Sequence, residues 1–322
     1  MGDLVYVGSC DGVFHAVELK TGRVRWETKV SPDSAQYFFH GDPLVSGDTI
    51  VIGADRLAGA SVHAFDRVTG QERWRRAAGR GVAGPIAGLN RRAYAAQSKE
   101  GLLLSLDADS GELRWTAPLK LPWLEGPAAL GSRVFAGDEA GWLYALNADS
   151  GEQEWKVNVG APIMTSATAS AADVYIGTAD GSVVRVDAER GTVLGSRKVD
   201  ETLRPTGVPI VAGETILVLL ADKSADNRAL VSLHRDLTRV RWKVTAEKNW
   251  STNRVFVWRD LVVLGTPSGE ISALCTDTGA KVWSRTIKGP VRSVGGAEDT
   301  LLVGTPSGDL YALNAPGSCS SK

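Results

Sequence analysis

The chain has 322 residues, with 36 lysines and arginines against 37 aspartates and glutamates and a formal net charge of −1. This balance contains no run of like charges, so it gives no electrostatic footprint for binding nucleic acid or an anionic membrane. The longest apolar run, Thr215 to Ala221, is far too short to span a membrane. The 36 glycines and ten tryptophans agree with a packed β protein that is rich in turns.

The first unit of the chain contains the pattern that the rest repeats. Strands are predicted near 4–8, 12–18 and 24–30, and a polar turn places Gly22 four residues before Trp26. The same spacing returns in Gly70–Trp74, Gly111–Trp115, Gly151–Trp155 and Gly279–Trp283. Gly191 keeps the glycine without the tryptophan and Trp242 keeps the tryptophan without the glycine, so the markers recur every 40 to 48 residues. This is the period of a four-stranded propeller blade.

The strand before each turn has one small position. Its last four residues read Phe14-His15-Ala16-Val17 in the first unit, and the third of them is Ala or Ser in seven of eight copies. Because strand faces alternate, such a column indicates close packing between stacked sheets. Arg185 breaks the column in the fifth unit, and Gly195 stands there in place of the tryptophan.

The later units follow in chain order and differ mainly in their hairpins. The second has a strand at 49–53 and a hairpin lengthened over 54–60, and the sixth has a long hairpin at 222–228. The eighth stops after Tyr311 to Asn314 without a tryptophan strand. Three strands are therefore predicted in the first and last units and four in each of the other six. The fold prediction is one all-β domain over 1–322, an eight-bladed β-propeller of four-stranded antiparallel blades, with seven blades as the alternative.

The repeat resembles the pyrroloquinoline-quinone-type propeller repeat, whose signature is Ala-x-Asp-x-x-Thr-Gly-x-x-x-Trp. The segments 66–74 and 107–115 match it closely. Members of this family include quinone dehydrogenases, outer-membrane assembly lipoproteins and sensor domains of bacterial kinases, so the resemblance leaves the function open. We expect a non-catalytic scaffold that binds protein partners, either in outer-membrane protein assembly or as an extracytoplasmic sensor domain.

The alternative is a propeller that binds a small molecule, in the extreme an enzyme dependent on pyrroloquinoline quinone (PQQ) and calcium. The resemblance implies a calcium ion, a stacking tryptophan, a catalytic aspartate and often a disulfide between adjacent cysteines. This sequence has no adjacent cysteines and no Cys-x-x-Cys-His haem site, and Asp42 is the one acidic residue near a suitable register. We therefore predict no catalytic residue, no metal ligand and no cofactor.

The tryptophans and histidines have structural interpretations. Each tryptophan after a turn is predicted to lie against the adjoining blade, where a large aromatic ring contributes much buried area. His15 and His63 share a column with Tyr144 and Tyr311, which favours packing roles. Gly195 then marks the weakest blade junction. The substitution Gly195→Trp is expected to raise the melting temperature if the next blade has a docking groove for the ring.

Binding residues are predicted at two places. Aligned inner strands have one mixed polar column, which is the better candidate for lining the central channel because side chains alternate along a strand. A second group is predicted on the rim, where the loops of the second and sixth units are long and have the aromatic and arginine character of interface centres. The channel candidates are Phe39, Trp123, Glu125, Asn253 and Arg292, and the rim candidates are Tyr37, Phe38, Arg56 and Trp250.

Location and covalent links are less determined. A strand already begins at residue 4, with no basic-then-apolar leader before it, so the chain is either cytoplasmic or a trimmed extracytoplasmic domain. The family resemblance favours a periplasmic or other extracytoplasmic site and a monomeric propeller. The odd number of cysteines, Cys10, Cys275 and Cys319, is poor evidence for a disulfide framework.

Overall fold

The computed structural model describes residues 4–8, 12–30, 39, 41–56, 59–82, 84–97, 99–119, 126–246, 250, 255–297, 299–314 and 317–319. Within these ranges the regular elements are all β-strands, which confirms the all-β prediction. No helix in the described part of the chain has the length and apolar character needed to cross a membrane.

The strands form eight antiparallel sheets from consecutive stretches of the chain, and these are the blades of an eight-bladed β-propeller. In a regular blade the four strands pair in chain order, as in β4-β5-β6-β7. The first four blades contain β1 (Leu4–Gly8), β2 (Val13–Glu18) and β3 (Val24–Lys29); β4 (Leu44–Ser46), β5 (Thr49–Arg56), β6 (Gly59–Asp66) and β7 (Glu72–Ala77); β8 (Ala87–Leu89), β9 (Arg92–Gln97), β10 (Leu102–Asp107) and β11 (Leu113–Pro118); β12 (Ala128–Leu130), β13 (Arg133–Gly137), β14 (Trp142–Asn147) and β15 (Gln153–Asn158).

The other four blades follow the same order. The eighth has three strands, as the first does, which confirms that both end units are one strand short among the described residues and favours eight blades over seven. These blades contain β16 (Thr168–Ser170), β17 (Asp173–Gly177), β18 (Ser182–Asp187) and β19 (Val193–Lys198); β20 (Arg204–Pro205), β21 (Ile210–Ala212), β22 (Thr215–Ala221), β23 (Arg228–His234) and β24 (Val240–Thr245); β25 (Phe256–Trp258), β26 (Leu261–Gly265), β27 (Glu270–Cys275) and β28 (Lys281–Thr286); β29 (Ser293–Ala297), β30 (Thr300–Gly304) and β31 (Leu310–Asn314).

The sixth blade departs from the predicted strand number because its inner strand is broken. Both β20 and β21 pair with β22, which makes this sheet five-stranded. Gly207, with a φ of 72°, and Pro209 lie between the two pieces. Since proline has no N–H to donate to the ladder, the pairing is interrupted at this point.

The two long hairpins have different structures. In the second blade β5 and β6 pair out to Arg56 and Gly59, so the stretch predicted as a lengthened loop is mostly strand, and this part of the prediction is wrong. In the sixth blade the pairing ends at Ala221 and Arg228, which confirms the long loop. There Asp222 accepts hydrogen bonds from the Asp226 N–H at 3.0 Å and the Asn227 amide at 2.6 Å.

The chain divides into two compact units, Met1–Val174 with Asp187–Thr192 and Tyr175–Val186 with Val193–Lys322. The single-domain prediction stays a prediction. In each unit the apolar clusters lie between successive blades, because both faces of the middle strands are buried. Along β5, for example, Ile50 and Ile52 pack with Phe14 and Phe65, while Val51 packs in a different cluster. This alternation follows from the two-residue period of a strand.

Docking turns are the turns between the last two strands of each of the first seven blades, and five of them receive a tryptophan of the preceding blade. Trp26 of the first blade lies over Gly70 of the second, where an added methyl group would stand 2.5 Å from the ring. Its indole N–H donates to the carbonyl of Arg67 at 3.1 Å. The same bond joins Trp74 to Ala108 at 3.1 Å, Trp115 to Ala148 at 3.0 Å, Trp155 to Ala188 at 3.3 Å and Trp242 to Thr276 at 2.9 Å. These contacts confirm the predicted place of the tryptophans.

The junction after the fifth blade is built from other residues. Gly195 pairs with Arg185, whereas the tryptophans of the other blades pair with Ala or Ser. Thus the small column is small because it faces a tryptophan, and the large Arg185 stands where that ring is missing. In the receiving turn Thr238 takes the place of the glycine, and the left-handed residue is Leu237, with a φ of 63°.

Two other side chains of this junction occupy the acceptors of its docking turn. The Tyr175 hydroxyl donates to the carbonyl of Arg235 at 3.0 Å, the acceptor that an indole would use. The guanidinium of Arg197 donates to the carbonyls of Leu237 and Thr238. Both contacts also occur at turns that hold a ring, because Tyr94 and Trp115 donate to the same Ala148 carbonyl and Arg76 donates to the Gly111 carbonyl. What distinguishes this junction is Arg185 across the strand pair and Thr238 in place of the glycine.

The C-terminal segment is joined to the seventh blade by a disulfide between Cys275 and Cys319, with the two Cα atoms 5.3 Å apart. The odd cysteine count gave no indication of this bond. The pair was hidden because Cys275 ends a strand while Cys319 lies beyond the last strand, and only the fold brings them together. The Cys319 N–H also donates to the carboxylate of Asp260 at 2.5 Å.

Candidate functional site

The predicted rim residues are only partly described. Tyr37 and Phe38 lie outside the described residues, and so does the side chain of Arg56, whose backbone ends β5. Trp250 is 7% exposed and packs with Leu219, Val255 and other apolar residues of the sixth and seventh blades. Its position is that of a core residue. The binding role of the rim loops stays a prediction.

The predicted channel residues are similarly divided. Trp123, Glu125 and Asn253 lie outside the described residues. Phe39 is 8% exposed, with its ring centroid 5.7 Å from that of Phe14, so it packs in the core between the first and second blades. Arg292 is exposed, and its N–H donates to the carbonyl of Gly304 at 2.8 Å. The binding role of Phe39 and Arg292 stays a prediction.

A cavity of about 410 Å³ lies between the sixth and seventh blades. Its apolar wall contains Val244, Trp250, Leu264 and Leu274, and its polar side contains Thr245, Thr266, Glu270, Ser272 and Lys281. The sequence predictions had singled out only Trp250 of these residues. Space of this size, apolar with a few polar groups, is typical of a site for a small molecule or a side chain of a partner.

The cavity has a cause that can be read in the repeat. Ser272 stands in the strand column that holds His63 in the second blade and Tyr144 in the fourth. A serine leaves open the volume that a ring fills elsewhere. This shortened side chain was the available sequence signal, and it becomes meaningful only when the column is known to face the preceding blade.

The two charged side chains on the polar side of the cavity pair with each other. Lys281 lies 2.9 Å from the carboxylate of Glu270, and the Ser272 hydroxyl donates to the same carboxylate at 3.4 Å. The Glu270 N–H donates to the Thr266 hydroxyl oxygen at 3.0 Å. The cavity thus offers apolar surface beside a paired carboxylate and ammonium. This combination suits an amphipathic group without strong net charge.

The corresponding positions of the second blade form a buried polar set. The Nδ1 atom of His63 lies 2.7 Å from a Glu72 oxygen and Nε2 lies 2.6 Å from the Ser61 hydroxyl. Burial lowers the pKa of His63 even though Glu72 accepts a hydrogen bond from the ring. Burial raises the pKa of Glu72, but hydrogen bonds from His63 and Arg75 outweigh it and hold the pKa at about 2.

This serine–histidine–glutamate order resembles a hydrolytic relay, but its burial argues for a packing role. His63 is fully buried and Ser61 is 6% exposed. A nucleophile must reach its substrate within about 3–3.5 Å. The neutral ring instead donates from Nδ1 to Glu72 and accepts at Nε2 from Ser61, which satisfies its polar atoms inside the blade.

The donor set needed for a quinone–calcium centre is not found in the described residues. No group of three or more His, Cys, Asp or Glu side chains among them could hold a metal ion. Asp42, the one candidate aspartate, is exposed. The Cys275–Cys319 disulfide joins residues 44 positions apart and not adjacent cysteines. The described residues therefore do not fit this cofactor, and we derive no step through it.

The sequence matches the model of a family described as outer membrane protein assembly factor BamB over residues 58–219 and 173–295. The chain belongs to this family. The resemblance inferred from the tryptophan repeat is thereby confirmed. The solved structure of BamB from Moraxella catarrhalis has a TM-score of 0.79 and 17% identity, covering 97% of this chain and 94% of that one.

Other solved structures with the same fold are of different kinds of protein. A computationally designed protein, Ika8, matches with a TM-score of 0.80, 14% identity and coverage of 98% of this chain and 94% of that one. A europium-containing methanol dehydrogenase matches with a TM-score of 0.68, 11% identity and coverage of 97% and 80%. These structural likenesses show the fold alone.

One curated relative is a quinohemoprotein alcohol dehydrogenase, ADH IIB, from Pseudomonas putida. It is 35% identical over 77 residues, which are 23% of this chain and 11% of that enzyme. The matched length is about two repeats, so it reflects the shared propeller repeat.

Proposed function

We propose that this protein is a non-catalytic binding module that acts through protein partners in the assembly of outer-membrane proteins, in the periplasm or another extracytoplasmic compartment. The observation that carries the proposal is the family match, which covers residues 58–295 and is described by that role. The likeness to BamB over almost the full length of both chains supports it at the level of the fold.

The disulfide supports the proposed compartment. Disulfides persist in oxidising environments such as the periplasm and are rare in a reducing cytosol. Cys275 and Cys319 are linked. In protein isolated from its native host with thiols blocked at lysis, we expect both cysteines to resist alkylation until a reductant is added. Alkylation of both without a reductant would contradict an oxidising location.

The test of function is depletion of the protein in its native host. We expect the amounts of outer-membrane proteins to fall and the parent chain to restore them. A variant with Tyr37, Phe38 and Arg56 changed to Ala tests the rim prediction. It should fold normally and fail to restore them if these residues bind the partner. Unchanged outer-membrane proteins after depletion would overturn the proposed function.

The alternative, a quinone-binding propeller, rests on the dehydrogenase relatives. Incubation with pyrroloquinoline quinone and calcium, followed by absorbance spectroscopy, distinguishes the two functions. A bound quinone spectrum with alcohol-dependent dye reduction would favour the enzyme. The scaffold proposal expects neither.

A further inference from the structure

The cavity between the sixth and seventh blades lies where the fourth blade holds an aromatic ring. Tyr144 pairs with Ala136 of the neighbouring strand, and both belong to one buried cluster. Ser272 pairs with Leu264 at the same register of the seventh blade, and both line the cavity. Because the serine side chain ends at its hydroxyl, the space beyond it corresponds to that of the phenol ring in the fourth blade.

The walls of the two places also correspond. The ring of the fourth blade packs in a cluster with Ala117 and Leu146. Val244 and Leu274 hold the same ladder positions and line the cavity, together with Trp250, which is 7% exposed. The volume of about 410 Å³ lies within the range of roughly 300–1,000 Å³ that is usual for small-molecule sites. This wall suits a flat ring packed between aliphatic side chains.

The polar end of the cavity differs from the fourth blade in its acceptors. In the fourth blade the Tyr144 hydroxyl donates to Oδ2 of Asp138 at 3.0 Å, while Oδ1 accepts from the Trp142 N–H at 2.9 Å. In the seventh blade Oγ1 of Thr266 takes the place of Oδ1 and accepts from the Glu270 N–H at 3.0 Å. The carboxylate on this side of the cavity is therefore that of Glu270.

These polar groups favour a neutral hydroxyl over a charged group. Glu270 and Lys281 are paired at 2.9 Å, so a ligand anion would face the carboxylate and a ligand cation would face the ammonium group. A phenol has a pKa of about 10, is neutral at pH 7, and can both donate and accept a hydrogen bond. It can therefore bond to the pair without separating it.

We infer that this cavity is a binding site for a neutral phenol with a single ring. The ring lies against Val244 and Leu274, and the hydroxyl donates to the Glu270 carboxylate. The site goes beyond the proposed function and does not depend on it. A free phenol and the tyrosine side chain of a peptide share this chemistry, and the choice of probes separates the two sources.

The first probe is p-cresol, the tyrosine side chain as a free molecule, and its binding to the full chain is measured by ligand-observed NMR at pH 7. For a ligand of this size we expect a dissociation constant on the order of 0.1–1 mM. Toluene lacks the hydroxyl and p-toluate carries a carboxylate in its place. Both should bind at least about tenfold more weakly, the scale of one hydrogen bond to a charged group.

A further probe, N-acetyltyrosinamide, has the same ring on a peptide backbone. Affinity equal to that of p-cresol or higher supports the inference with a peptide tyrosine as the source. Affinity about tenfold lower supports it with a free phenol as the source, because the backbone then does not fit at the cavity mouth.

The protein variant is Ser272→Tyr, which gives the seventh blade the residue that the fourth has at Tyr144. The new ring fills the cavity, so we expect p-cresol binding to be lost. The matched control is Ser196→Tyr, the same change at an exposed residue of the fifth blade, which should bind p-cresol as the parent does.

A second variant guards against misfolding, because Val244 and Leu264 are larger than the alanines at the same positions of the fourth blade. Ser272→Val introduces a residue that this column already has at Val184 and Val231. It should weaken p-cresol binding by roughly threefold, the scale of one buried methylene group. Melting curves verify that each variant is folded.

Three results would overturn the inference: no binding of p-cresol at millimolar concentrations, equal binding of p-cresol and toluene, or parent-like binding by the folded Ser272 variants. None of them bears on the proposed function, which depletion in the host tests separately.

Discussion

The turns at Gly22 and Thr238 are docking turns that have no tryptophan over them among the described residues, yet they differ in structure. At Thr238 the glycine is replaced, the left-handed residue is Leu237, and Tyr175 and Arg197 donate to the turn carbonyls. At Gly22 the turn has the geometry of the occupied turns and is exposed. The comparison shows that the Thr238 turn has lost the glycine on which a ring packs, whereas the Gly22 turn has kept it.

The largest expected loss of stability comes from a junction in which a tryptophan covers its docking turn. Trp115→Ala removes a ring that is 9% exposed and bonded to Ala148, so the free energy of unfolding should fall by about 3–5 kcal/mol. Urea denaturation measures it. The matched variant Trp142→Ala, at a partly buried ring beside Lys156, should cost less than half as much. Equal losses would show that the docking contact has no special weight.

The next effect tests whether the Thr238 turn still accepts a ring. Gly195→Trp should lower the melting temperature, because the new ring meets Arg185 across the strand pair and the Cβ of Thr238 in the turn. Overpacking of this kind typically costs about 1–3 kcal/mol. Adding Arg185→Ala and Thr238→Gly recreates the regular pattern and should recover part of the loss. A higher melting temperature for Gly195→Trp alone would mean that the groove is open after all.

A smaller effect tests the contact between Arg197 and the Thr238 turn. Arg197→Ala removes the donor to the Leu237 and Thr238 carbonyls and should cost about 1–2 kcal/mol in urea denaturation. Arg190→Ala is the control, since that side chain is 75% exposed and lies 3.8 Å from Asp187. If the two substitutions cost the same, Arg197 does not stabilise the junction.

The smallest effect is a pH dependence of the sixth turn. Hydrogen bonds from the Thr238 hydroxyl and N–H lower the pKa of Asp236 below its ordinary value of 3.8. A depressed carboxyl pKa contributes stability that is present above the unfolded value and lost as the pH falls below about 4. The difference in melting temperature between the parent and Asp236→Asn should therefore shrink from pH 6 to pH 3.

Periodicity alone was sufficient to predict the blades. Trp26 and Gly70 belong to different sequence repeats, but the spacing of glycine and tryptophan is the same in each repeat. A repeated strand–turn–strand pattern has few folds that bury every copy. The long hairpin at 54–60 was predicted wrongly because it lacks the alternation of a buried strand. It is paired nonetheless, since Asp55 and Arg56 continue the ladder at its end.

The cavity between the sixth and seventh blades was less predictable from the sequence. Ser272 is an ordinary strand residue by itself, and the cavity beside it exists because Val244 and Trp250 of neighbouring segments stand across from it. The same limit applies to Cys275 and Cys319, whose pairing depends on where the last segment returns. Such sites require distances between residues far apart in sequence, which local patterns do not contain.

The sequence by itself determined the eight repeats, the strand order within each blade and the structural role of the tryptophans, because strand period and turn chemistry are local properties. The tertiary structure decided which turn each ring covers, which side chains meet at the junction after the fifth blade, and that Gly22 is exposed. These features depend on packing between blades, where a side chain's role is set by the neighbour that the fold places against it.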